Sequence, residues 1–173
     1  MKSIPEKEAK YLLGWGSDVR VDRYLQAEAL PVQTILDWSE SHVGDLHLLA
    51  TGVSKAFQDY EESILWRTSC GPHALAEVES ALRTQWPELG AAECPMILKV
   101  FNGDWPIACE LLRLWMLALS DVVIAAKGAP FALQMTNDAE LWVFSPPTTP
   151  WLPTSDCFGF FAQEFQPARD STL

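Results

Sequence analysis

The stretch from Gly103 to Gly128 constrains this chain most, because no other segment of the sequence is so continuously apolar. At about 3.6 residues per helical turn, its polar side chains fall on one narrow arc. These residues are Glu110, Arg113, Ser120, Asp121 and Lys127. Asp104 is suited to cap a helix at its start, and Gly128 is suited to end it. The pattern predicts one long, nearly buried central helix over about 104–127.

Charged side chains within this stretch argue against a membrane span, because each would be costly to bury in lipid. The central helix is therefore expected to form the core of a soluble domain. A second interpretation ends the helix at Leu119 and makes 122–126 a strand. With a strand predicted over 96–101, where apolar residues alternate sides, this would form a βαβ unit. The polar arc continues through Asp121 and Lys127, which favours the single helix.

After Gly128 the hydrophobic period changes to two, which is typical of strands. Residues 131–136 and 139–144 flank Asn137 and Asp138, so a β-hairpin with a two-residue loop is predicted. This register would place Phe131, Leu133 and Met135 beside Glu140, Trp142 and Phe144. The hairpin is expected to pack against the central helix.

Helices are predicted through most of the N-terminal half. The predicted segments are 5–13, 22–30, a helix that Pro31 opens and Gly44 ends, 45–66 and 72–86. The 45–66 segment has the clearest pattern, with apolar residues at three- and four-residue spacings from Leu46 to Ile64. The expected fold class is α+β: a mostly helical single domain over 1–173, with the long central helix and a small antiparallel sheet built on the 130–145 hairpin.

The C-terminal region is rich in proline. Pro146, Pro147, Pro150 and Pro153 force an extended path over 146–154. This segment is interpreted as a strap that ties the C-terminal part to the surface, with a recognition segment of the polyproline type as the alternative. Residues 167–173 are predicted to be a disordered tail.

The charge balance limits the classes of partner. The chain has 12 Lys and Arg residues against 23 Asp and Glu residues, a formal net charge of −11. Phosphate backbones and anionic membrane surfaces would be repelled, so neither nucleic acid nor a membrane is an expected partner. A basic protein partner is compatible with this charge, although solubility explains an acidic surface equally simply.

The first ten residues are polar and charged where a secretory signal would be apolar, which predicts a cytoplasmic protein. Cys70, Cys94, Cys109 and Cys157 form no C-x-x-C pair, as is typical of reduced thiols. Signatures of common hydrolases, nucleotide-binding loops and zinc sites are absent, so no cofactor is predicted.

Two local patterns could still carry chemistry. His42 and His47 flank Asp45 and could bind a divalent metal ion, but Asp45 as a helix cap explains the pattern without an ion. Metal binding is therefore not predicted. Cys70 and His73 offer a thiol at a tight turn and a nearby base, which supports a small cysteine-dependent enzyme as an alternative function.

The favoured function is protein binding. On the predicted 45–66 helix, Trp66 lies beside Asp59 and Glu62, so it is either covered by another element or an exposed aromatic anchor for a partner. Trp151 in the proline-rich strap is a second candidate anchor. The size and charge are typical of bacterial immunity proteins and antitoxins, so an immunity-type, antitoxin-type or chaperone-like protein for a basic partner is predicted. A third possibility is a small ligand in a tryptophan-lined pocket between helix and hairpin.

Overall fold

The fold is described from a computed structural model, which covers residues 1–12, 30–37, 43–69, 95–129 and 131–145, together with residues 80, 84 and 87. For residues 30–37, 43–45 and 145 the description is of the backbone. Several sequence predictions lie outside these ranges: the helices over 22–30 and 72–86, the 146–154 strap, the 167–173 tail, and the candidate residues Cys70, His73 and Trp151.

Strands and helices both contribute, so the α+β class is confirmed. The described elements are β1 (Lys2–Ser3), α1 (Glu6–Leu12), β2 (Leu30–Asp37), α2 (Val43–Phe57), β3 (Glu62–Ser69), β4 (Met96–Phe101), α3 (Trp105–Leu117), β5 (Asp121–Ala126), β6 (Ala132–Met135) and β7 (Glu140–Ser145). The seven described strands form one sheet in the order β1-β4-β3-β5-β6-β7-β2, with every neighbouring pair antiparallel. The prediction of a mostly helical domain is wrong.

The predicted central helix over 104–127 is also wrong, because the chain leaves the helix after Leu117 and continues as β5. Leu119 has a φ of 49°, which is the left-handed conformation that ends many helices. The amide of Ser120 donates to the carbonyl of Trp115 at 3.0 Å, and the amide of Leu119 donates to the carbonyl of Met116 at 3.0 Å. These two bonds form a Schellman motif, in which leucine takes the place that glycine usually has.

The alternative βαβ interpretation is the better one. Both β4 and β5 pair antiparallel with β3, so they run parallel to each other on either side of it, and α3 connects them. The β4 bounds agree with the predicted strand over 96–101. Most side chains of β5 are buried, so its sequence lacks the alternation of a half-exposed strand.

The N-terminal predictions fail in two places and hold in one. The segment opened by Pro31 is the edge strand β2, where a missing backbone donor is tolerated. The predicted 45–66 helix ends at Phe57, and β3 begins at Glu62. Tyr60 and Ile64 matched the helical spacing although they lie beyond the helix. The short helix after Pro5 is confirmed as α1.

The hairpin is confirmed, but its register differs by one residue from the predicted one. Leu133 pairs with Val143, and Met135 pairs with Leu141. The loop is longer because Ala139 adopts a φ of 61°, which produces a three-residue loop with a left-handed last residue. A shift of one residue reverses the faces of a strand, so Leu133 now shares a face with Val143 rather than with Trp142.

Each face of the sheet carries its own core. The helix-covered face packs against α2 and α3 and includes Leu65, Leu98, Ile124, Leu133 and the fully buried Trp115 of α3. The hairpin shares this core with α2 and α3, and the ring of Phe131, just before the hairpin, lies 5.1 Å from the ring of Phe57 in α2. The second face packs against α1 and includes Ile64, Trp66, Ile97, Val123 and Phe144.

Asp104 joins the N-terminal strand to the start of α3. Its carboxylate lies 2.5 Å from the α-ammonium of Met1 and accepts the amide of Phe101 at 3.1 Å. Burial raises the pKa of Asp104, but the hydrogen bonds from Met1 and Phe101 and the positive charge of the ammonium outweigh it, so the pKa is lower than usual.

We expect Asp104→Asn to lower the free energy of unfolding at pH 7 by about 1 kcal/mol, because the charged hydrogen bonds are lost. A carboxyl group whose pKa is lower when folded stabilises the fold above its unfolded value of about 3.9, and this contribution disappears as the pH falls through the folded value. Urea unfolding at pH 7 and at pH 3 should show the variant and wild type converging in acid. A difference that is as large in acid would contradict the ionic role.

Candidate ligand-binding cleft

An open cleft of about 520 Å³ lies on the second face of the sheet, beside the N-terminal end of β5. The residues that line it are Glu6, Trp66, Thr68, Pro95, Asp121, Val123, Gln134, Thr136, Asn137 and Asp138. They come from α1, three neighbouring strands, the residue before β4 and the hairpin loop. The cleft therefore depends on the pairing of segments that are distant in the sequence.

Strand alternation explains why these side chains meet. Side chains two residues apart on a strand share a face, so Trp66 and Thr68 of β3 point to the same side. The pairing of Trp66 with Val123, and of Val123 with Gln134, extends this side across β5 to β6. Asp121 shares it because it lies two residues before Val123. The helix α1 packs on this side of the sheet, and its Glu6 also lines the cleft.

Asp121 is the most tightly held carboxylate of the cleft. The hydroxyl of Ser69 donates to its Oδ2, and the backbone amide of Asn137 donates to its Oδ1 at 2.7 Å. The hydroxyl of Thr68 also donates to the carbonyl of Asp121 at 3.3 Å. These contacts connect β3, β5 and the hairpin loop, so the carboxylate is oriented before any ligand arrives.

Negative charge in the cleft is only partly balanced. Glu6 lies 2.8 Å from the ammonium of the buried Lys10. Within the described ranges, neither Asp121 nor Asp138 has a lysine or arginine partner within 4.0 Å. The neighbouring Thr68, Gln134, Thr136 and Asn137 are uncharged. The cleft therefore carries a net negative charge that a cation would neutralise.

Nearly buried apolar side chains form the floor beneath these carboxylates. Trp66 is only 5% exposed and packs with Ile97 and Val123 in the core of the second face. Val123 is 3% exposed, and it lines the cleft together with Trp66 and the exposed Pro95. The cleft therefore presents anionic and neutral hydrogen-bonding groups above Trp66 and Val123, which are almost inaccessible.

The predicted partner-binding residues are not brought together as an exposed patch. Trp66 is buried in the sheet, so it is not an exposed anchor. Asp59 is exposed in the connection before β3, and Glu62 lies 2.6 Å from Lys99 at the start of that strand. The other end of β3 borders the cleft, and an eight-residue strand spans roughly 25 Å. Of the three, Trp66 alone lines the cleft.

The other predicted polar features lie on the helix side. Arg113 donates to both carboxylate oxygens of Glu110, at 3.0 and 2.5 Å, so these two residues of the predicted polar arc form an ion pair that is half-buried. The hydrogen bond from Arg113 lowers the pKa of Glu110, and burial offsets part of this effect. His47 is exposed on α2. No group of three or more His, Cys, Asp or Glu side chains in the described part of the chain is arranged to bind a metal ion.

Sequence reasoning did not identify Asp121, Asp138 and Gln134 as site residues. Asp138 was recognised as a turn residue, but Asp121 was assigned to the polar arc of the predicted helix. The alternative interpretation, in which 122–126 is a strand, could have predicted the cleft. That assignment allows Asp121 and the hairpin loop to lie at the same end of a sheet.

None of the described helices combines the length and the apolar content needed to cross a bilayer. Comparisons with protein-family models, with curated proteins and with solved structures find no match to this chain. The chemistry of the cleft itself is therefore the basis for assigning a function.

Proposed function

We propose that this protein is an acidic binding module that holds a basic segment of a partner protein, in the manner of an immunity protein, an antitoxin or a chaperone. The observation that supports the proposal is the cleft in which Asp121 and Asp138 lack a described cationic partner and lie above the nearly buried Trp66. A cationic side chain from the partner would occupy this cleft.

The dimensions of the cleft suit a segment rather than a flat protein surface. Its volume of about 520 Å³ is within the range of small-molecule sites and could hold a long side chain with its neighbours. The oriented carboxylate of Asp121 loses little freedom on binding, which favours affinity. The net charge of −11 also accelerates the approach of a basic partner at low salt.

A small cationic molecule is a second candidate ligand for the same cleft. This cleft is not the predicted pocket between the central helix and the hairpin, because α3 lies on the other face of the sheet. Among the described residues, Trp66 is the tryptophan that lines it. The enzyme alternative that uses Cys70 and His73 has no support from the described residues, because both lie outside them. A thiol-labelling experiment on Cys70 remains its direct test.

We expect Asp138→Asn to weaken the binding of a ten-residue peptide rich in lysine and arginine by about fivefold, since one charge at close range is worth about 1 kcal/mol in water. Isothermal titration calorimetry at 50 mM and 300 mM salt would measure this loss and its reduction by screening. An acidic peptide of the same length should not bind.

Asp59→Asn is the matched control, because it removes the same charge from an exposed side chain outside the cleft. Its effect should stay below about twofold, because a remote exposed charge is screened by salt. An equal loss in both variants would indicate general attraction to the acidic surface. A larger loss for Asp59→Asn would favour the surface around Asp59 and Glu62 instead. Failure of the basic peptide to bind wild type would reject the cleft as its site.

A further inference from the structure

We infer that the Asn102–Gly103 pair is a site of spontaneous deamidation, which the fold slows and whose products weaken the contact between the end of β4 and the connection that follows α2. The pair lies in the 3₁₀ turn over Asn102–Asp104, between β4 and α3. Both residues are exposed, so water reaches the reacting atoms. Neither is among the described residues that line the cleft, so the reaction is independent of the proposed function.

The reaction needs an asparagine, a chemically labile residue, followed by an unhindered backbone nitrogen. The nitrogen of Gly103 gives up its proton and bonds to Cγ of Asn102, while the bond from Cγ to the amide nitrogen breaks. The amide nitrogen takes up the proton and leaves as ammonia. Water then opens the cyclic imide at one of its carbonyls. Opening at the side-chain carbonyl gives aspartate, and opening at the main-chain carbonyl gives isoaspartate, in which the main chain runs through Cγ.

The fold itself does not require glycine at position 103. A Cβ added to Gly103 would meet no atom within 4 Å among the described residues outside its chain neighbours. Its φ also lies outside the left-handed region, whereas Gly128 has a φ of 80°. The first N–H groups of a helical turn have no partner within that turn. Glycine therefore supplies a backbone nitrogen that neither a side chain nor the turn itself protects.

The fold slows the reaction because it holds the amide of Asn102. In the orientation that satisfies its surroundings, this amide donates to the carbonyl of Gln58 at 3.2 Å and to the carbonyl of Tyr60. Both acceptors lie in the connection between α2 and β3. Rotation of the Asn102 side chain toward the nitrogen of Gly103 would break both hydrogen bonds. The reaction therefore proceeds from states in which this contact has opened.

Either product abolishes the contact. A carboxylate has no N–H to donate, so the carbonyls of Gln58 and Tyr60 lose this donor and face a negative charge instead. Isoaspartate also lengthens the main chain beside Asp104, whose carboxylate accepts the amide of Phe101 and contacts the ammonium of Met1. The modification therefore loosens both the entry to β3 and the start of α3.

The chain contains its own control, because its other asparagine, Asn137, is followed by Asp138 rather than by glycine. Wild-type protein is incubated at mildly alkaline pH with and without concentrated urea, and its tryptic peptides are followed by mass spectrometry. Peptide 100–113 contains Asn102 alone, and peptide 128–169 contains Asn137. In urea, Asn102 should convert faster than Asn137. Without urea, conversion of Asn102 should be about thirtyfold slower, the effect of two hydrogen bonds of ordinary net strength.

Three variants complete the test. Gly103→Ala should fold, because the added methyl group has space, and it should slow the conversion of Asn102 in urea several-fold. Asn102→Asp reproduces one product and should lower the midpoint of urea unfolding. Gln58→Glu makes the same change from amide to carboxylate on an exposed side chain nearby, so it should leave the midpoint nearly unchanged.

Each part of the inference can fail separately. Conversion of Asn102 no faster than that of Asn137 in urea, or as fast in Gly103→Ala as in wild type, would overturn the site. Equal rates of Asn102 conversion with and without urea would overturn the protection by the fold. An unfolding midpoint for Asn102→Asp no lower than that of Gln58→Glu would overturn the structural consequence.

Discussion

Replacement of Trp115 by alanine is expected to lower the free energy of unfolding by about 3–5 kcal/mol, the usual cost of removing a large aromatic side chain from a core. Trp115 is fully buried between α3 and the sheet. Its ring also lies 5.8 Å from the guanidinium of the buried Arg67, which donates to the hydroxyl of Ser120 at 3.1 Å. Urea unfolding followed by circular dichroism would measure the loss.

Ile107→Ala on the same helix is the control. Ile107 is 40% exposed, so its truncation should change stability by less than about 0.5 kcal/mol. Similar effects of the two substitutions would contradict the described orientation of α3. A loss below about 1 kcal/mol for Trp115→Ala would contradict the packing of α3 on the sheet.

Asp121→Ala is expected to have the second largest effect, lowering the free energy of unfolding by about 2–3 kcal/mol and removing the binding of basic peptides. Hydrogen bonds to a charged group contribute about 1.5–3 kcal/mol each, so two would give about 3–6 kcal/mol if fully buried, and the partial exposure of Asp121 reduces the expected loss to about 2–3 kcal/mol. The carboxylate connects Ser69 of β3 with Asn137 of the hairpin loop. Its removal would therefore loosen the end of the sheet that borders the cleft.

Asp121→Asn separates the two roles of this residue. The amide oxygen can still accept the Asn137 amide and the amide nitrogen can donate to Ser69, so most of the stability should remain. The negative charge is lost, so peptide affinity should fall about fivefold. Unfolding and calorimetry on both variants would test this. Unchanged peptide affinity in Asp121→Asn would show that the charge of Asp121 has no part in binding.

The sequence predicted the segments whose signals are local. Residues 96–101 alternate clearly and form β4. Residues 131–144 alternate around a turn and form the hairpin, and the short helix after Pro5 forms as α1. In these strands the alternating residues divide between the two cores of the sheet, with Leu98, Leu133 and Val143 on one face and Ile97, Ala132 and Phe144 on the other. Local pattern and tertiary environment are then consistent, so sequence reasoning succeeds.

Predictions failed where burial on both faces hides the period. Strand β5 is apolar on both sides because Val122 and Ile124 lie in the core shared with α2 and α3, while Val123 and Ala125 lie in the core of the second face. The break before β5 depends on Leu119 in a left-handed conformation, and a leucine carries no sequence signal for that role. The same problem affected β3, whose buried residues continued the helical spacing of α2.

The site was predicted less well than the fold because it depends on where the helices α2 and α3 end. Asp59, Glu62 and Trp66 share one side only if 45–66 is a single helix. Because Glu62–Ser69 is a strand, Trp66 is buried on the second face of the sheet. Thr68, near the end of the strand, lines the cleft. Asp121 likewise lies on the sheet only when the helix ends before it.

The sequence alone determined the α+β class, the strand at 96–101, the hairpin and the excess of acidic residues. Each of these depends on composition or on residues that are neighbours within a turn or a pair of adjacent strands. Only the tertiary structure decided where α3 ends, which register the hairpin adopts and which carboxylates converge. The end of α3 and the convergence of the carboxylates depend on the pairing of β3 with both β4 and β5, which joins residues 29 to 63 positions apart. No local pattern encodes such contacts, because their stability comes from burial that exists only after the chain has folded.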